Sequence, residues 1–440
     1  MVRFGGRQGA AMARSDPDEL ERAGHGARPA DAARAQALRV LIVSQHFWPE
    51  PFPINAVAED LAAAGLDVRV LTGQPNYPGG RVFGGYRALG RGVDGWRGLV
   101  IHRVPLVPRG RGALRLGLNY LSFVASAAAF GLRSLGAWRP QVVFVYATSP
   151  AIQALAAARI ARASGARLVT WVQDLWPETL AATGHVRHPL VLAAVRRAMA
   201  HVYARSDLIL AQSEGFARAV RKVAPGRRVA VHPNAAPPLA PAPPAVGPDG
   251  PFTVLFAGNF GLVQALDCVI DAAERLADDP RIRFVLAGTG RLDGWLRAEV
   301  ARRGLANVRL TGWIDPEAMP ALYAESSAVL ATLAPGGVLE LVVPSKLQTY
   351  LAAGRPIVAA MNGEGARVVR DSGAGVAVAA GDAAALAQAI RGLAALSPAE
   401  RASMGARGRA NHAQHYAPAV LTPALVGHLT SVVDGSACAC

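Results

Sequence analysis

Lysine is almost missing from this sequence: of its 46 Lys+Arg residues only Lys222 and Lys346 are lysines. With the abundance of Ala, Gly and Pro, that scarcity reads as a bias toward GC-rich codons, so Arg in place of Lys says little about function. Cysteine is scarce too. Cys268, Cys438 and Cys440 are too few for a disulfide framework or a metal cage, and a reducing compartment is the natural reading. The terminal Ala-Cys-Ala-Cys lacks the Cys-a-a-X spacing of a lipidation signal. There is no Walker sequence, no G-x-S-x-G and no Cys/His metal spacing. The nearest approach to G-x-G-x-x-G, Gly288-Thr-Gly290-Arg-Leu-Asp-Gly294, has its last Gly one place late and lacks an acid at the usual distance, which argues against an oxidoreductase. The only D-x-D, Asp16-Pro17-Asp18, falls in the segment 1–38, which has six Arg, five acids and no apolar run of signal-peptide length. That segment reads as a flexible tail rather than a metal-diphosphate site. No repeat of solenoid or propeller period is apparent.

What is present is a chain of 440 residues, 52% hydrophobic and 18% charged, with a formal net charge of +15. That is enough for two or three domains with their own cores, and it excludes a wholly disordered or fibrous chain. The charge is unevenly placed. Met1–His232 carries 30 basic and 14 acidic residues, net +16, whereas Pro233–Cys440 carries 16 and 17, net −1. Two stretches hold most of the excess, Arg81–Arg115 and Arg187–Arg228. Neither is interleaved with stacking aromatics in a recognisable module, so nucleic acid is not the expected partner. The first stretch directly precedes Leu116–Leu135, a 20-residue segment of mostly Leu, Ala and Phe interrupted by Asn119, Ser122, Ser126, Arg133 and Ser134. It is marginal for a membrane span and reads as a buried domain helix or a helix lying on a bilayer. Basic and apolar character side by side is the pattern of binding to an anionic membrane surface.

Short β-branched runs alternate with helical patterns along both halves. In the first half the runs are 39–44, 68–72, 142–146, 167–172 and 208–212; in the second they are 253–257, 283–287, 308–311, 328–333, 356–360 and 375–378. Strand-helix alternation predicts βαβ units and parallel sheets. Between the halves, residues 233–251 hold eight Pro in nineteen positions and read as a linker. The expected organisation is a tail over 1–38, a Rossmann-like domain over 39–232, the linker 233–251, a second Rossmann-like domain over 252–410, and a C-terminal helical segment over 411–440 that returns toward the first domain. Two doubly wound α/β domains place the active site in the cleft between the carboxyl ends of their strands.

Loops at those strand ends suit a phosphorylated ligand. Gly258-Asn259-Phe-Gly261 follows a strand and is expected to open a helix, where free N–H groups favour an anion. Gly288 stands in the next loop. Pro344-Ser345-Lys346 precedes the helical Leu347–Ala353, and a cation at a helix start is disfavoured unless an anion meets it. Gly363-Glu364-Gly365-Ala-Arg367 stands at another strand-to-helix junction. In the first half, His46 and Glu50 lie in the first βα loop, Asn76-Tyr77 in the second, and Asp174 follows 167–172, ahead of Trp176-Pro177. Capping, turns and core packing explain each of these first-half residues as readily as a place at the cleft.

The ordered set Gln45-His-Phe-Trp-Pro-Glu-Pro51, Gln173-Asp-Leu-Trp-Pro177, Gln212-Ser-Glu214, Pro233-Asn234, Gly258-Asn-Phe-Gly261, Gly288-Thr-Gly290, Gly312-Trp-Ile314 and Pro344-Ser-Lys346 through Ala352-Ala-Gly354-Arg-Pro356 resembles glycosyltransferase family 4 over roughly 38–430. Within that family the chain is similar to the bacterial group that builds colanic-acid-type exopolysaccharide and O-antigen. The resemblance implies the GT-B fold, with two doubly wound α/β domains facing a central cleft, the acceptor bound by the domain 39–232 and the nucleotide sugar by the domain 252–410. It implies a retaining transfer without a metal ion or other cofactor, from a nucleotide-diphosphate sugar, with a UDP-sugar, N-acetylated or not, favoured. The implied acceptor is polyprenyl-linked or an oligosaccharide, and the implied setting is the cytoplasmic face of the plasma membrane.

Family members usually hold the diphosphate with an Arg and a Lys after the first strand of the second domain, and those positions here read Asn259 and Gln264. Of two family Glu residues, the second position is Thr349 and the nearest candidate for the first is Glu340. These departures leave Lys346, Arg367 and the N–H groups near Gly261 and Glu364 to hold phosphates, with Ser345 beside them. Gln348 or Thr349 is then expected to meet the ribose, and Trp313-Ile314 to face the base. Asp174, Glu340 and His46 are the expected catalytic groups, with Glu50, Asn76 and Tyr77 on the acceptor side. Two rivals stand beside this reading: a nucleotide-sugar epimerase on the same architecture, and a degenerate transferase that serves as a scaffold.

Overall fold

The computed structural model describes residues 37–110, 112–149, 151–182, 186, 188–240 and 250–435. Asp16-Pro17-Asp18, residues 241–249 of the Pro-rich stretch, and Cys438 and Cys440 lie outside the described residues.

The first half forms β1 (Arg39–Val43), α1 (Ile54–Ala63), β2 (Asp67–Thr72), β3 (Gly92–Trp96), β4 (Leu99–Arg103), α2 (Ala113–Ser134), β5 (Val142–Ala147), α3 (Ala154–Ser164), β6 (Arg167–Val172), α4 (Glu178–Ala182), α5 (Pro189–Tyr203), β7 (Leu208–Ala211), α6 (Glu214–Val223) and β8 (Val229–Val231). Its sheet runs β3-β4-β2-β1-β5-β6-β7-β8, parallel throughout except at the β3–β4 hairpin. Every residue of β5 is buried, as helices on both faces of a parallel sheet require.

The second half forms β9 (Phe252–Ala257), α7 (Leu266–Glu274), β10 (Ile282–Ala287), α8 (Asp293–Arg302), β11 (Val308–Gly312), α9 (Met319–Glu325), β12 (Ala328–Thr332), α10 (Ser345–Ala353), β13 (Ile357–Ala360), α11 (Gly363–Asp371), β14 (Gly375–Val378) and α12 (Ala383–Ala395). Its sheet, β11-β10-β9-β12-β13-β14, is wholly parallel. Strand order reverses between β1 and β5 in one sheet and between β9 and β12 in the other, and such switch points open ligand crevices at the carboxyl ends.

The last two helices are α13 (Pro398–His415) and α14 (Pro418–Asp434), so residues 410 and 411 share one helix. Among the described residues, Pro398–Asp434 is the one helical stretch long and apolar enough to cross a membrane by length and composition. Its second half is instead engaged with the first sheet: Leu425, Leu429 and Val432 are buried with Val40, Ile42 and Trp171. The chain therefore passes between the halves twice. The two passages are tied together where Ala236 N donates to Tyr416 O at 3.0 Å and His412 Nε2 meets Ala236 O at 2.8 Å.

Two features differ from the sequence expectations, and a third falls where a helix was expected. The Gly258–Gly261 loop does not open an α-helix; it enters a single 3₁₀ turn, Leu262–Gln264, and α7 begins only at Leu266. The Arg81–Arg115 stretch contains the β3–β4 hairpin, and Arg103 within it is buried, bonded to the Asp94 carboxylate and donating to Gly73 O at 3.0 Å and Trp48 O at 2.6 Å. A run of Arg that reads as a solvated surface thus spends one of its charges as internal scaffolding. Leu116–Leu135 falls within and just beyond α2, whose Tyr120, Phe123 and Ala127 enter the core while Leu114, Leu118 and Leu121 stay exposed.

Candidate functional site

On the second-domain side, the loops after β9 and β10 are locked together by glycine. Gly258 and Gly288 take φ of 144° and 145°, and a Cβ on Gly288 would stand 1.8 Å from Gly258 O. Phe260 N donates to Thr289 O at 2.9 Å, and the Asn259 side chain lies between Gly261 and Gly290, filling the space a Cβ on either would need.

Lys346, in the first turn of α10, reaches into this cradle. Its Nζ donates to Gln264 Oε1 at 2.6 Å and lies 3.9 Å from the Phe256 ring centroid. The Gly258 backbone lies alongside the same amine, with a Cβ position 3.4 Å from Nζ. Burial alone pushes this amine down to about 7. None of the ion pairs among the described residues includes it. An amine withdrawn from water, at the positive end of a helix and beside a neutral amide, has surroundings that favour an anion beside it.

The other expected donor residues are distributed less simply. Ser345 is exposed and Thr349 half-buried, both on the first turns of α10. Gln348 is buried, and its amide nitrogen faces Ser345 O and Pro344 O at 2.8 and 3.0 Å, so it braces its own helix start rather than reaching a ribose. Glu364 is buried and bonded to both Arg367 and, at 2.7 Å, Arg218 Nη2 of the first domain. Arg367 is therefore committed to a carboxylate instead of standing free for phosphate, and the trio joins the two domains. Glu340 sits on the 3₁₀ turn Gly337–Leu341, where it accepts from Asn362 Nδ2 at 3.3 Å, while a Cβ on Gly363 would meet its carbonyl at 1.9 Å. Trp313 is 62% exposed just beyond β11, and Ile314 packs against the core.

On the first-domain side, the loop after β1 closes on the loop after β2. Glu50 is buried; its Oε2 meets His46 Nδ1 at 2.9 Å while Oε1 accepts from Asn76 N and Tyr77 N at 2.7 and 2.6 Å. The His46 ring stacks on Phe52 with centroids 4.9 Å apart, and its buried Nε2 has no partner. Asn76 is spent on Gln74 O and Arg109 N. The structure thus brings His46, Glu50, Asn76 and Tyr77 into one cluster and shows Asn76 as its brace.

Asp174, on the loop after β6, accepts from Ser149 Oγ at 2.9 Å, and Trp176 Nε1 donates to the same Oγ at 3.2 Å. Burial raises the Asp174 carboxyl above its usual range, and the Ser149 hydrogen bonds oppose the rise. Tyr120, whose hydroxyl feels Arg109, Asp174 and Tyr77, links this acid to the first cluster. Beside Asp174, Gln173 Oε1 accepts from Asn234 Nδ2 at 2.9 Å, which pins the start of the passage into the second domain.

Sequence reasoning missed Ser149, Phe256 and Arg218. The first two had a local signal, since Ser149 follows β5 at the switch point and Phe256 is the penultimate residue of β9. Arg218 had none, because its partner Glu364 lies 146 residues away.

Comparison with known proteins bears on what this cleft is for. Residues 54–235 match the family described as "Glycosyl transferase 4-like domain", and residues 251–395 match "Glycosyl transferases group 1". The chain is 28% identical over 350 residues to glycosyl transferase WcaI of Escherichia coli (strain K12), named for colanic acid biosynthesis, with 72% of this chain and 82% of that protein covered. Among solved structures, sucrose-phosphate synthase from Thermosynechococcus elongatus superposes with a TM-score of 0.69 at 16% identity, covering 91% of this chain and all (100%) of that one. Anabaena HepE in complex with UDP and glucose superposes at 0.64 and 17%, covering 90% of this chain and 100% of that one.

Proposed function

From the premise that this chain belongs to the family 4 glycosyltransferases and has the GT-B fold, we propose that it moves a sugar from a nucleotide diphosphate to a lipid-linked or oligosaccharide acceptor during surface-polysaccharide synthesis. The observation that carries the donor half is Lys346: a half-buried amine without an acidic partner at the β9/β12 switch point. UDP is the favoured nucleotide, in line with the UDP held by Anabaena HepE, and the sugar is a hexose or N-acetylhexosamine.

The transfer retains configuration and uses no metal ion. Charge building on the departing diphosphate is met by Lys346 and by the backbone N–H groups of the Gly258–Gly261 loop, preorganised by the glycine contacts with Gly288 and Gly290. The leaving phosphate takes the acceptor proton on the front face, so no protein nucleophile is needed. Asp174, held by Ser149, orients the acceptor hydroxyl, and the His46–Glu50 pair shapes the acceptor side of the cleft.

The test is mass spectrometry of products from a panel of nucleotide sugars with extracted membrane lipid as acceptor. A sugar-lipid product is expected. An epimerised nucleotide sugar formed without acceptor points to the epimerase, and the absence of nucleotide binding points to a scaffold. In the same assay Asp174→Asn should slow transfer about 10- to 100-fold and leave UDP affinity within about twofold. An unchanged rate removes Asp174 from the chemistry.

The enzyme works on the inner face of the plasma membrane. Supporting this are the exposed Leu114, Leu118 and Leu121, spaced to share one face of α2, beside the exposed Arg115. Flotation with anionic vesicles should exceed that with neutral ones and fall in Leu118→Glu/Leu121→Glu; flotation indifferent to lipid charge rejects the membrane assignment.

A further inference from the structure

Outside the donor cradle, a cavity of about 480 Å³ opens where the first domain meets the 3₁₀ turn of the second. Its wall is mostly apolar: Leu175, Trp176, Val220, Val223, Val338 and Leu341. The size is that of a small-molecule site. Arg218 and Lys222 also line it, with Glu178. One deep polar atom completes the lining: Tyr203 is 2% exposed, its hydroxyl has no hydrogen-bond partner, and burial raises its ionisation above the usual tyrosine range.

This lining is wrong for a sugar. A sugar presents a hydroxyl on nearly every carbon, and burying those against hydrocarbon without partners is costly. It suits an amphiphile that offers hydrocarbon to the wall and a few oxygens to Tyr203 Oη and the cations. Trp176 also joins the cavity to the chemistry, because its indole N–H donates to the Ser149 hydroxyl that holds Asp174. A chain seated here is joined to the acid through two side chains, Trp176 and Ser149.

We propose that this cavity binds the apolar chain of the lipid-linked acceptor, with Lys222 at the phosphate that joins that chain to its sugar. The inference rests on the lipid-linked acceptor proposed above and adds where the chain is held. It also gives the second domain a part in acceptor binding, since Val338 and Leu341 close the cavity on one side.

Calorimetry with farnesyl phosphate below its micellar concentration tests it, with inorganic phosphate as the head-only probe and UDP as the donor-side control. The full-length chain should bind farnesyl phosphate saturably and show no binding of inorganic phosphate at the same concentrations. Ala219→Phe, which fills the cavity from α6, should weaken farnesyl phosphate at least about tenfold with UDP affinity unchanged. Lys222→Glu, an exposed change that leaves packing alone, should weaken it to a similar degree and keeps the test alive if Ala219→Phe fails to fold. Absence of farnesyl phosphate binding by protein that binds UDP, or binding that neither variant alters, overturns the cavity assignment. Loss of UDP binding by the unaltered chain overturns the donor reading instead.

Discussion

Lys346→Ala should weaken UDP binding by about 100-fold, roughly 2.7 kcal/mol, and leave the fold at least as stable as before. The two halves of that expectation have one cause. Without ligand, the amine sits over Phe256 with only the Gln264 amide for company, so removing it relieves a desolvation cost. With a diphosphate present, the same withdrawal from water strengthens the attraction, and its loss leaves buried anionic oxygens unpaired.

The proton inventory gives a sharper check. In the free protein the amine titrates at about 7, well below an ordinary lysine, so at pH 8 it is mostly neutral. A bound diphosphate restores the charged form, and binding must take up a proton. UDP affinity should therefore fall by up to about one decade per pH unit as pH rises above about 7. The opposite sign applies to folding: between that value and the ordinary 10.5 the unfolded chain binds more protons at this site, and the free protein gains stability as pH rises. Calorimetry across pH measures the first, and thermal melts the second. A pH slope above 7 that survives Lys346→Ala would assign the proton to another group.

Gly288→Ala should destabilise the second domain by about 3–5 kcal/mol, a fall in melting temperature on the order of 10 °C. The new Cβ collides with Gly258 O at 1.8 Å, a backbone atom with no rotamer to yield, and the backbone at φ 145° is one that side chains disfavour. Gly294→Ala supplies the control. Nothing lies within 4 Å of its Cβ position, inside α8, where alanine is the better helix former. Equal melting temperatures for the two variants would show that the β9 and β10 loops are not locked as described. If the lock is real, residual folded Gly288→Ala should also bind UDP poorly, since the loops it separates carry the N–H groups of the cradle.

The sequence displayed what depends on local pattern. Parallel strands announced themselves as β-branched runs, and Lys346 stood out as a lone lysine at a helix start, which is where the structure has it. Gly258 and Gly288 were legible as loop residues at strand ends, whereas their contact with each other joins two loops and leaves no local pattern. The strands Gly92–Trp96 and Leu99–Arg103 were not, because Gly-Val-Asp-Gly-Trp has neither a continuous apolar run nor a clean alternation. Arg103 was one more charge of a basic stretch, and its burial rests on Asp94, set beside it by the hairpin, and on the carbonyls of Gly73 and Trp48. Arg367 and Gln348 were expected to face the ligand, and each is held by a partner of its own. For Gln348 the partners are carbonyls of its own helix start. For Arg367 it is a carboxylate shared with Arg218, and pairings across such sequence distances leave no periodic trace.

The double passage between the domains sets the mechanics of the whole molecule. A single covalent tether lets one body swivel about any axis relative to the other. Two tethers side by side, bonded to each other at Ala236, His412 and Tyr416, act like a door hung on two pins: bending about the line through them is easy, and twisting is resisted. The Arg218–Glu364 pair, at 2.7 Å, adds a third link between the two halves. Two joined passages therefore hold the Lys346 and Asp174 sides of the cleft to fewer relative orientations than one passage would.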